Sequence, residues 1–185
     1  QKRGPISYKP HGGLRFDSSS DNNITVTAPM DGYIISGTRF IADGGTEIQY
    51  SFSIMNNCGI TNLIGHLREL PANLQKIVET FPEATKSSAS QNVNPPVYVK
   101  QGDVLATKVG IIGDRNTFFD WGVFDYRQQN EASRSSAYRA AHGEGNGKDT
   151  TWYAVCWLQN NWLPINDQAI LSALPSGDKK SDYCK

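Results

Sequence analysis

The sequence has no net charge and no long apolar run, and each absence excludes a class of function. Its 185 residues contain 18 lysines and arginines against 18 aspartates and glutamates, which gives a formal net charge of +0. No strong field therefore attracts the chain to nucleic acid or to an anionic membrane. No apolar stretch reaches the roughly 20 residues that a membrane-spanning helix needs. We therefore expect neither a nucleic-acid partner nor a membrane span.

The sequence also lacks the short motifs of several common enzyme classes. It contains no Gly-x-Ser-x-Gly nucleophile elbow, no Walker phosphate loop and no dinucleotide fingerprint. It contains no internal repeat and no low-complexity tract. Nothing of this kind therefore indicates a serine hydrolase, a nucleotide-binding enzyme or a repeat protein.

Cysteine is scarce, and its spacing excludes a zinc knuckle or a CxxC redox motif. Cys184 lies beside the C-terminus, where chains usually fray, so a disulfide with Cys156 would hold that segment in place. Closing the loop would stabilise the fold by roughly 3–4 kcal/mol on the chain-entropy estimate. Cys58 would then be the odd cysteine, buried in a strand. The alternative is three reduced core thiols in a cytosolic protein.

The composition favours an extracellular location over a cytosolic one. Asn, Ser, Gly and Tyr are plentiful, whereas charged residues make up 19% of the chain. The chain begins at Gln1 without a methionine, as a secreted protein does after its leader is removed. We therefore expect a secreted, periplasmic or cell-surface protein.

Alternating apolar and polar residues predict a mainly β, antiparallel fold. Residues 47–54 (EIQYSFSI) alternate over eight positions, which is typical of a half-buried strand. Residues 71–82 break this rhythm with apolar positions at helical spacing after Pro71, which predicts a short amphipathic helix inserted between strands.

Three segments, in this order along the chain, resemble the lysostaphin-type (LytM-like) zinc peptidase family. Residues 27–34 (TAPMDGYI) are similar to that family's Ala-Pro-x-Asp-Gly hairpin, and residues 48–67 end in the Gly-His-Leu of a strand end. Residues 99–106 (VKQGDVLA), followed by 109–113 (VGIIG), resemble the next strand pair. The resemblance covers roughly residues 11–127, a range judged by eye.

The resemblance implies a barrel-like antiparallel sheet built from a duplicated hybrid motif. It implies a peptidase-like β domain over residues 1–127, with an insert at 68–96. Residues 128–185 then form a C-terminal extension that packs on this domain and is tied by the Cys156–Cys184 disulfide.

The family's zinc site implies a ligand set that this chain retains only in part. The metal is held there by a His-x-x-x-Asp pair and by the second His of a His-x-His. His11 matches the first ligand, Arg15 stands where the Asp should be, and Asp120 replaces the last His. Phe118 replaces the first His of His-x-His, while His66 keeps the catalytic His of the strand end. An arginine repels a divalent cation and cannot ligate it.

These substitutions imply a degenerate site. We therefore expect a role in binding or assembly, and we expect no cofactor. We expect Arg15 and Asp120 to form an ion pair in the former metal site. The alternative is an active zinc endopeptidase on peptidoglycan or Gly-rich peptides, with His11, His66 and Asp120 as an unusual ligand set. The expected partner is a peptide, a glycan or a protein, and self-assembly through sheet edges is compatible with the pattern.

A purely structural role for His11 and for His66 also remains open. His11 in a Gly-rich arm and His66 at a strand end are also typical of histidines with purely structural hydrogen bonds. Asp120 and Asp125 are less ordinary, because a carboxylate in an aromatic strand must face solvent, a cation or a metal. A carbohydrate-binding module that uses Trp152, Trp157 and Trp162 is a third possibility.

Overall fold

Antiparallel strands dominate the computed structural model, which describes residues 2–3, 7–8, 11–16, 19, 21–42, 45–112, 117–142 and 148–156. The predicted mainly β, antiparallel class is confirmed over these residues. The chain divides into two compact units, Gly13–Trp121 and Gln1–Gly12 with Gly122–Lys185. The predicted division at residue 127 stays a prediction, as does the packing of the C-terminal extension.

The strands alternate with two short helices and two 3-10 turns. In chain order the elements are β1 (Lys2–Arg3), β2 (Ser7–Tyr8), β3 (Gly12–Arg15), β4 (Val26–Thr27), β5 (Gly32–Ile41), β6 (Ile48–Met55), β7 (Ile60–Arg68), α1 (Ala72–Val78), β8 (Gln91–Val99), β9 (Val104–Ala106), β10 (Lys108–Val109), β11 (Phe118–Asp125), the turn Glu131–Arg134, α2 (Ser136–His142) and the turn Lys148–Tyr153.

The largest sheet is open, so the expected barrel-like closure is wrong for the described residues. Its strand order is β3-β11-β7-β6-β5-β8, with β10 also paired to β7, while β4 and β9 form a small sheet of their own. The two ends of the large sheet, β3 and β8, do not pair with each other. Pro95 and Pro96 in β8 lack the N–H that a further strand would need, which suits an edge position.

The core lies on one face of the central strands β5, β6 and β7. Ile34, Phe52, Ile54 and Leu67 are fully buried there, and Ile64 of β7 is almost fully buried. Burying an apolar side chain of this size contributes about 1.5–3 kcal/mol relative to leaving it exposed. The period-two pattern of residues 47–54 therefore predicted a real strand, β6, within one residue at each end.

The predicted inserted helix is confirmed as α1, although it is shorter than residues 71–82. Leu74 and Val78 are one helical turn apart, and both are fully buried in the core. Pro71 occupies the N-cap position, where its missing N–H costs nothing. The helix is thus held by its buried stripe.

In the unit that includes Gly122–Lys185, Asn130 and Asp125 each form several hydrogen bonds. The Asn130 side chain accepts from the Ser133 N–H at 2.9 Å and donates to the Ala154 carbonyl at 3.1 Å. The Arg127 side chain donates two hydrogen bonds to Asp125, each of 2.8 Å. Of the three surroundings expected for Asp125, which were solvent, a cation or a metal, the structure shows a cation.

Two further expectations can be compared with the described residues. No helix among them is both long and apolar enough to cross a membrane. Cys58 is an exposed free thiol in the turn between β6 and β7, so its predicted burial in a strand is wrong. Cys184 lies outside the described residues, so the Cys156–Cys184 disulfide stays a prediction.

Candidate functional site

Strand β11 separates two different environments, because its successive side chains point to opposite faces of the sheet. The ring of Phe118 lies 4.4 Å from that of His66, and Asp120 Oδ2 lies 3.3 Å from His66 Nε2. Phe119 and Trp121 line a cleft instead. We call the face with His66 and Asp120 the polar face, and the space beside Phe119 and Trp121 the apolar cleft.

A β-bulge in β7 directs His66 onto the polar face. Tyr50 pairs with Leu67, and Phe52 pairs with Ile64, so β7 contains one residue more than β6 between these pairs. His66 takes up this extra length with a φ of 60°, in the left-handed region that non-glycine residues rarely adopt. Such a conformation costs roughly 1–3 kcal/mol and persists only where surrounding contacts impose it. The bulge therefore requires contacts around His66 that hold its backbone in this conformation.

Gln49 and Gly110 impose this position through a closed ring of hydrogen bonds. The side chain of Gln49 donates from Nε2 to the Gly110 carbonyl at 2.8 Å, and Gly110 N–H donates to the His66 carbonyl at 2.9 Å. Gln49 Oε1 lies 2.6 Å from His66 Nδ1. The Gly110 carbonyl requires the amide NH₂ on its side, so Oε1 accepts and Nδ1 of His66 carries a hydrogen.

The contact of Nδ1 with Gln49 orients the imidazole ring so that its second nitrogen, Nε2, faces Asp120. With a hydrogen on Nδ1, Nε2 faces a carboxylate oxygen of Asp120, which is an acceptor when ionised. The contact is favourable when one proton lies between the two atoms, as in an imidazolium–carboxylate pair. The side chains of His66 and Asp120 are only 14% and 19% exposed. Both ring nitrogens of His66 are thus engaged within the protein.

Glycines on the two neighbouring strands leave room for Asp120. A Cβ atom on Gly13 of β3 would lie 3.3 Å from Asp120 Oδ1, and one on Gly65 of β7 would lie 3.5 Å from Asp120 Cβ. The Gly65 position also lies 3.7 Å from Ser51 Cβ, and Ser51 Oγ is 2.6 Å from the Thr38 hydroxyl. The floor of the polar face is therefore built from small and hydroxyl-bearing residues.

The structure places Arg15 against an aromatic ring. Its guanidinium carbon lies 5.9 Å from the centroid of the Phe118 ring, within the range of a cation–π contact. The predicted ion pair with Asp120 stays a prediction, and the described contact of the Asp120 carboxylate is with His66. His11 belongs to the unit that combines Gln1–Gly12 with Gly122–Lys185. Within that unit it lies beside Gly122, because a Cβ atom built on Gly122 would be 2.7 Å from the Cβ of His11.

Two of the residues at these positions, Arg15 and Phe118, disfavour a zinc site by their chemistry. Zinc is normally held by three or four nitrogen, oxygen or sulfur donors in tetrahedral geometry. Within the described part of the chain, no group of three or more His, Cys, Asp or Glu side chains is arranged to hold a metal ion. Phe118 offers no donor atom, and the Arg15 cation over its ring would repel a divalent cation.

Two participants in the polar face were missed in the sequence. Gln49 lies on the polar side of the predicted strand 47–54, where alternation predicts exposure, whereas the structure buries its amide fully and gives it partners. Gly110 was noted only as part of residues 109–113 (VGIIG). Its φ of 73° lets its N–H and C=O turn toward His66 and Gln49.

The apolar cleft on the other side of β11 was not predicted. It encloses about 360 Å³. Trp121 donates from Nε1 to Asn62 Oδ1 at 2.8 Å, and the Asn62 amide lies 3.3 Å from the sulfur of Met30. The apolar and aromatic walls are formed by Leu14, Phe16, Ile24, Ile64, Phe119 and Trp121.

Comparison with family models, with curated proteins and with solved structures found no match for this chain. The likeness to lysostaphin-type peptidases therefore rests on the sequence motifs and stays a prediction. Any function has to be argued from the geometry of the two faces.

Proposed function

We propose that this chain is a secreted, non-catalytic, peptidase-like domain that binds an extended peptide on its polar face. One observation carries the proposal: both ring nitrogens of His66 are engaged, by Gln49 and by Asp120. A general base needs an unprotonated nitrogen within hydrogen-bond reach of the reacting water or hydroxyl. Asp120 Oδ2, which lies 3.3 Å from His66 Nε2, occupies the space beside that nitrogen where a reacting water or hydroxyl would have to lie.

The substitutions around His66 support binding over hydrolysis. A zinc peptidase needs a metal with an open position for water. Arg15 and Phe118 occupy two of the positions where such a site would be built, and they pack on each other. They contribute a cation and an aromatic ring, which suit recognition of a ligand.

The polar face suits a peptide because it has an exposed glycine beside its carboxylate. Gly13 of β3 carries no side chain next to Asp120, so a peptide main chain can come close to Asp120 there. A carboxylate has about four lone-pair sites, so Asp120 can accept a hydrogen bond from a peptide N–H in addition to its contact with His66. The rings of Phe40 and Phe118, at 5.7 and 4.4 Å from His66, flank the site and can hold apolar side chains. A glycan or a folded protein is the competing partner class.

Titration calorimetry with pentaglycine and with soluble peptidoglycan fragments tests the proposal. We expect binding without cleavage, whether one equivalent of zinc or a chelator is added. Asp120→Asn keeps the shape of the side chain but removes its charge, and we expect it to weaken binding at least fivefold. Glu79→Gln, an exposed carboxylate at the end of α1, is the matched control and should bind like the wild type.

Each alternative has its own outcome in this experiment. Zinc-dependent cleavage that the chelator abolishes would establish the zinc endopeptidase with His11, His66 and Asp120 as ligands. Binding that Asp120→Asn and Phe118→Ala leave unchanged would place the peptide elsewhere. Binding to glycan strands stripped of peptide would favour a carbohydrate module.

The extracellular location and the Cys156–Cys184 disulfide belong to the same proposal. A secreted protein keeps disulfides in an oxidising compartment. Mass spectrometry of the unreduced protein after proteolysis should detect one cross-linked peptide pair and an alkylatable Cys58. An alkylated Cys156 in protein purified from an oxidising compartment would contradict it.

A further inference from the structure

The apolar cleft beside Phe119 and Trp121 has a different chemistry from the polar face. We propose that it is a second binding site and that its ligand is a small, uncharged aromatic molecule. The inference does not depend on the proposed function of the polar face.

The walls of the cleft indicate an uncharged occupant. The described residues that line it include no ionisable side chain. An ionised group inside would lose its hydration without gaining a partner, and that loss is very costly. The same argument disfavours an acidic or basic peptide side chain as the occupant.

Three aromatic side chains indicate an aromatic ligand. The rings of Phe16 and Phe119 lie 6.1 Å apart and only 21° from parallel. Trp121 lines the same cleft. Aromatic ligands gain offset-stacked or edge-to-face contacts on such walls, in addition to burial of their apolar area.

The indole N–H of the cleft wall is already satisfied inside the protein. Trp121 Nε1 donates to Asn62, so the indole turns an apolar surface to the cleft. Thr25 and Thr27, both exposed, are the hydroxyl-bearing residues of the lining. Water needs two to four polar partners to be held firmly, so water in this cleft is displaced easily by an apolar ligand.

The size of the cleft sets the size of the ligand and its affinity. A volume of about 360 Å³ is near the lower end of the range for small-molecule sites. It suits a molecule of one to three fused or linked rings. With the usual free energy per ligand atom, we expect a Kd of roughly 10 µM to 1 mM.

Fluorescence titration with N-phenylnaphthylamine, a neutral aromatic probe, tests the inference. We expect its emission to rise on binding with one site per chain, and energy transfer from Trp121 to accompany the rise. Thr25→Trp places a bulky ring in the lining from an exposed position, so it should weaken probe binding at least tenfold. Thr46→Trp is the control, because Thr46 is equally exposed but does not line the cleft.

Three outcomes would overturn the inference. Equal probe binding by the wild type and Thr25→Trp would place the probe elsewhere. Equal affinity for an anionic analogue of the probe would contradict the requirement for an uncharged ligand. Probe binding that falls as the chain self-associates, measured by sedimentation, would show that a second copy occupies the cleft. Asp120→Asn should leave probe binding unchanged, so failure of this site and failure of the proposed peptide site are distinguishable.

Discussion

The two faces of β11 differ in what their side chains contribute, which is polar contacts on one face and apolar surface on the other. On the polar face, Gln49 and Asp120 contact the two ring nitrogens of His66 and so fix the orientation of its ring. On the other face, Trp121 satisfies its one donor through Asn62 and otherwise contributes apolar surface to a cleft. One strand thus supports a rigid, hydrogen-bonded arrangement and an open apolar space, because its side chains alternate.

The largest expected effect comes from truncation on the apolar side of the sheet. Ile64 is 2% exposed and forms part of the cleft wall. Ile64→Ala should lower the free energy of unfolding by about 3 kcal/mol through lost burial and a new cavity. Urea unfolding at pH 7 measures this loss. Val104→Ala, at a position that is 41% exposed, should cost under about 0.5 kcal/mol. Equal losses would show that the cleft wall is not part of the core.

Removal of Gln49 should cost somewhat less and act on the polar face alone. Gln49→Ala leaves the His66 Nδ1–H and the Gly110 carbonyl without their partner, at a cost of about 2–3 kcal/mol. Unfolding measurements give the loss, and the NMR signals of the His66 ring should change strongly. Gln101→Ala in an exposed turn is the control. An unchanged His66 spectrum in Gln49→Ala would contradict the hydrogen-bond ring of Gln49, Gly110 and His66.

A second carboxylate on the same strand sharpens the comparison through its pH dependence. Hydrogen bonds from the Arg127 side chain hold the pKa of Asp125 below its ordinary value, against the opposing effect of burial. A lowered pKa means that the stabilisation is present above the ordinary carboxyl pKa near 3.9 and is lost as the pH falls through the folded-state value.

The substitution Asp125→Asn should therefore lower stability by about 1–2 kcal/mol at pH 7. The difference from the wild type should shrink as the pH falls below about 4. Thermal unfolding of both proteins between about pH 7 and pH 2 measures it. A difference that stays constant over this range would show that the charge of Asp125 does not matter.

The smallest effect is expected at the edge of the polar face. Arg15 is exposed and lies over the ring of Phe118. Arg15→Gln should cost about 0.5 kcal/mol, as exposed cation–π contacts do. A loss above roughly 2 kcal/mol would instead indicate the predicted ion pair with Asp120. A double-mutant cycle with Asp120→Asn separates the two cases.

The sequence predicted those parts of the fold that depend on neighbours along the chain. The alternation in residues 47–54 and the helical spacing after Pro71 predicted β6 and α1, because side-chain period follows directly from backbone geometry. The motif comparison also named His66, Phe118 and Asp120 as one site, and the structure brings these three side chains together.

Other features were decided only by the tertiary structure, because they depend on pairing between strands that are distant in the sequence. The bulge at His66 follows from the register of β6 against β7, and the sheet stays open because β3 and β8 do not pair. The hydrogen bond from Gln49 to Gly110 joins residues 61 positions apart. The apolar cleft is lined by side chains from several separate strands. Local sequence carries no record of such register choices, since each strand's alternation is satisfied by more than one set of partners.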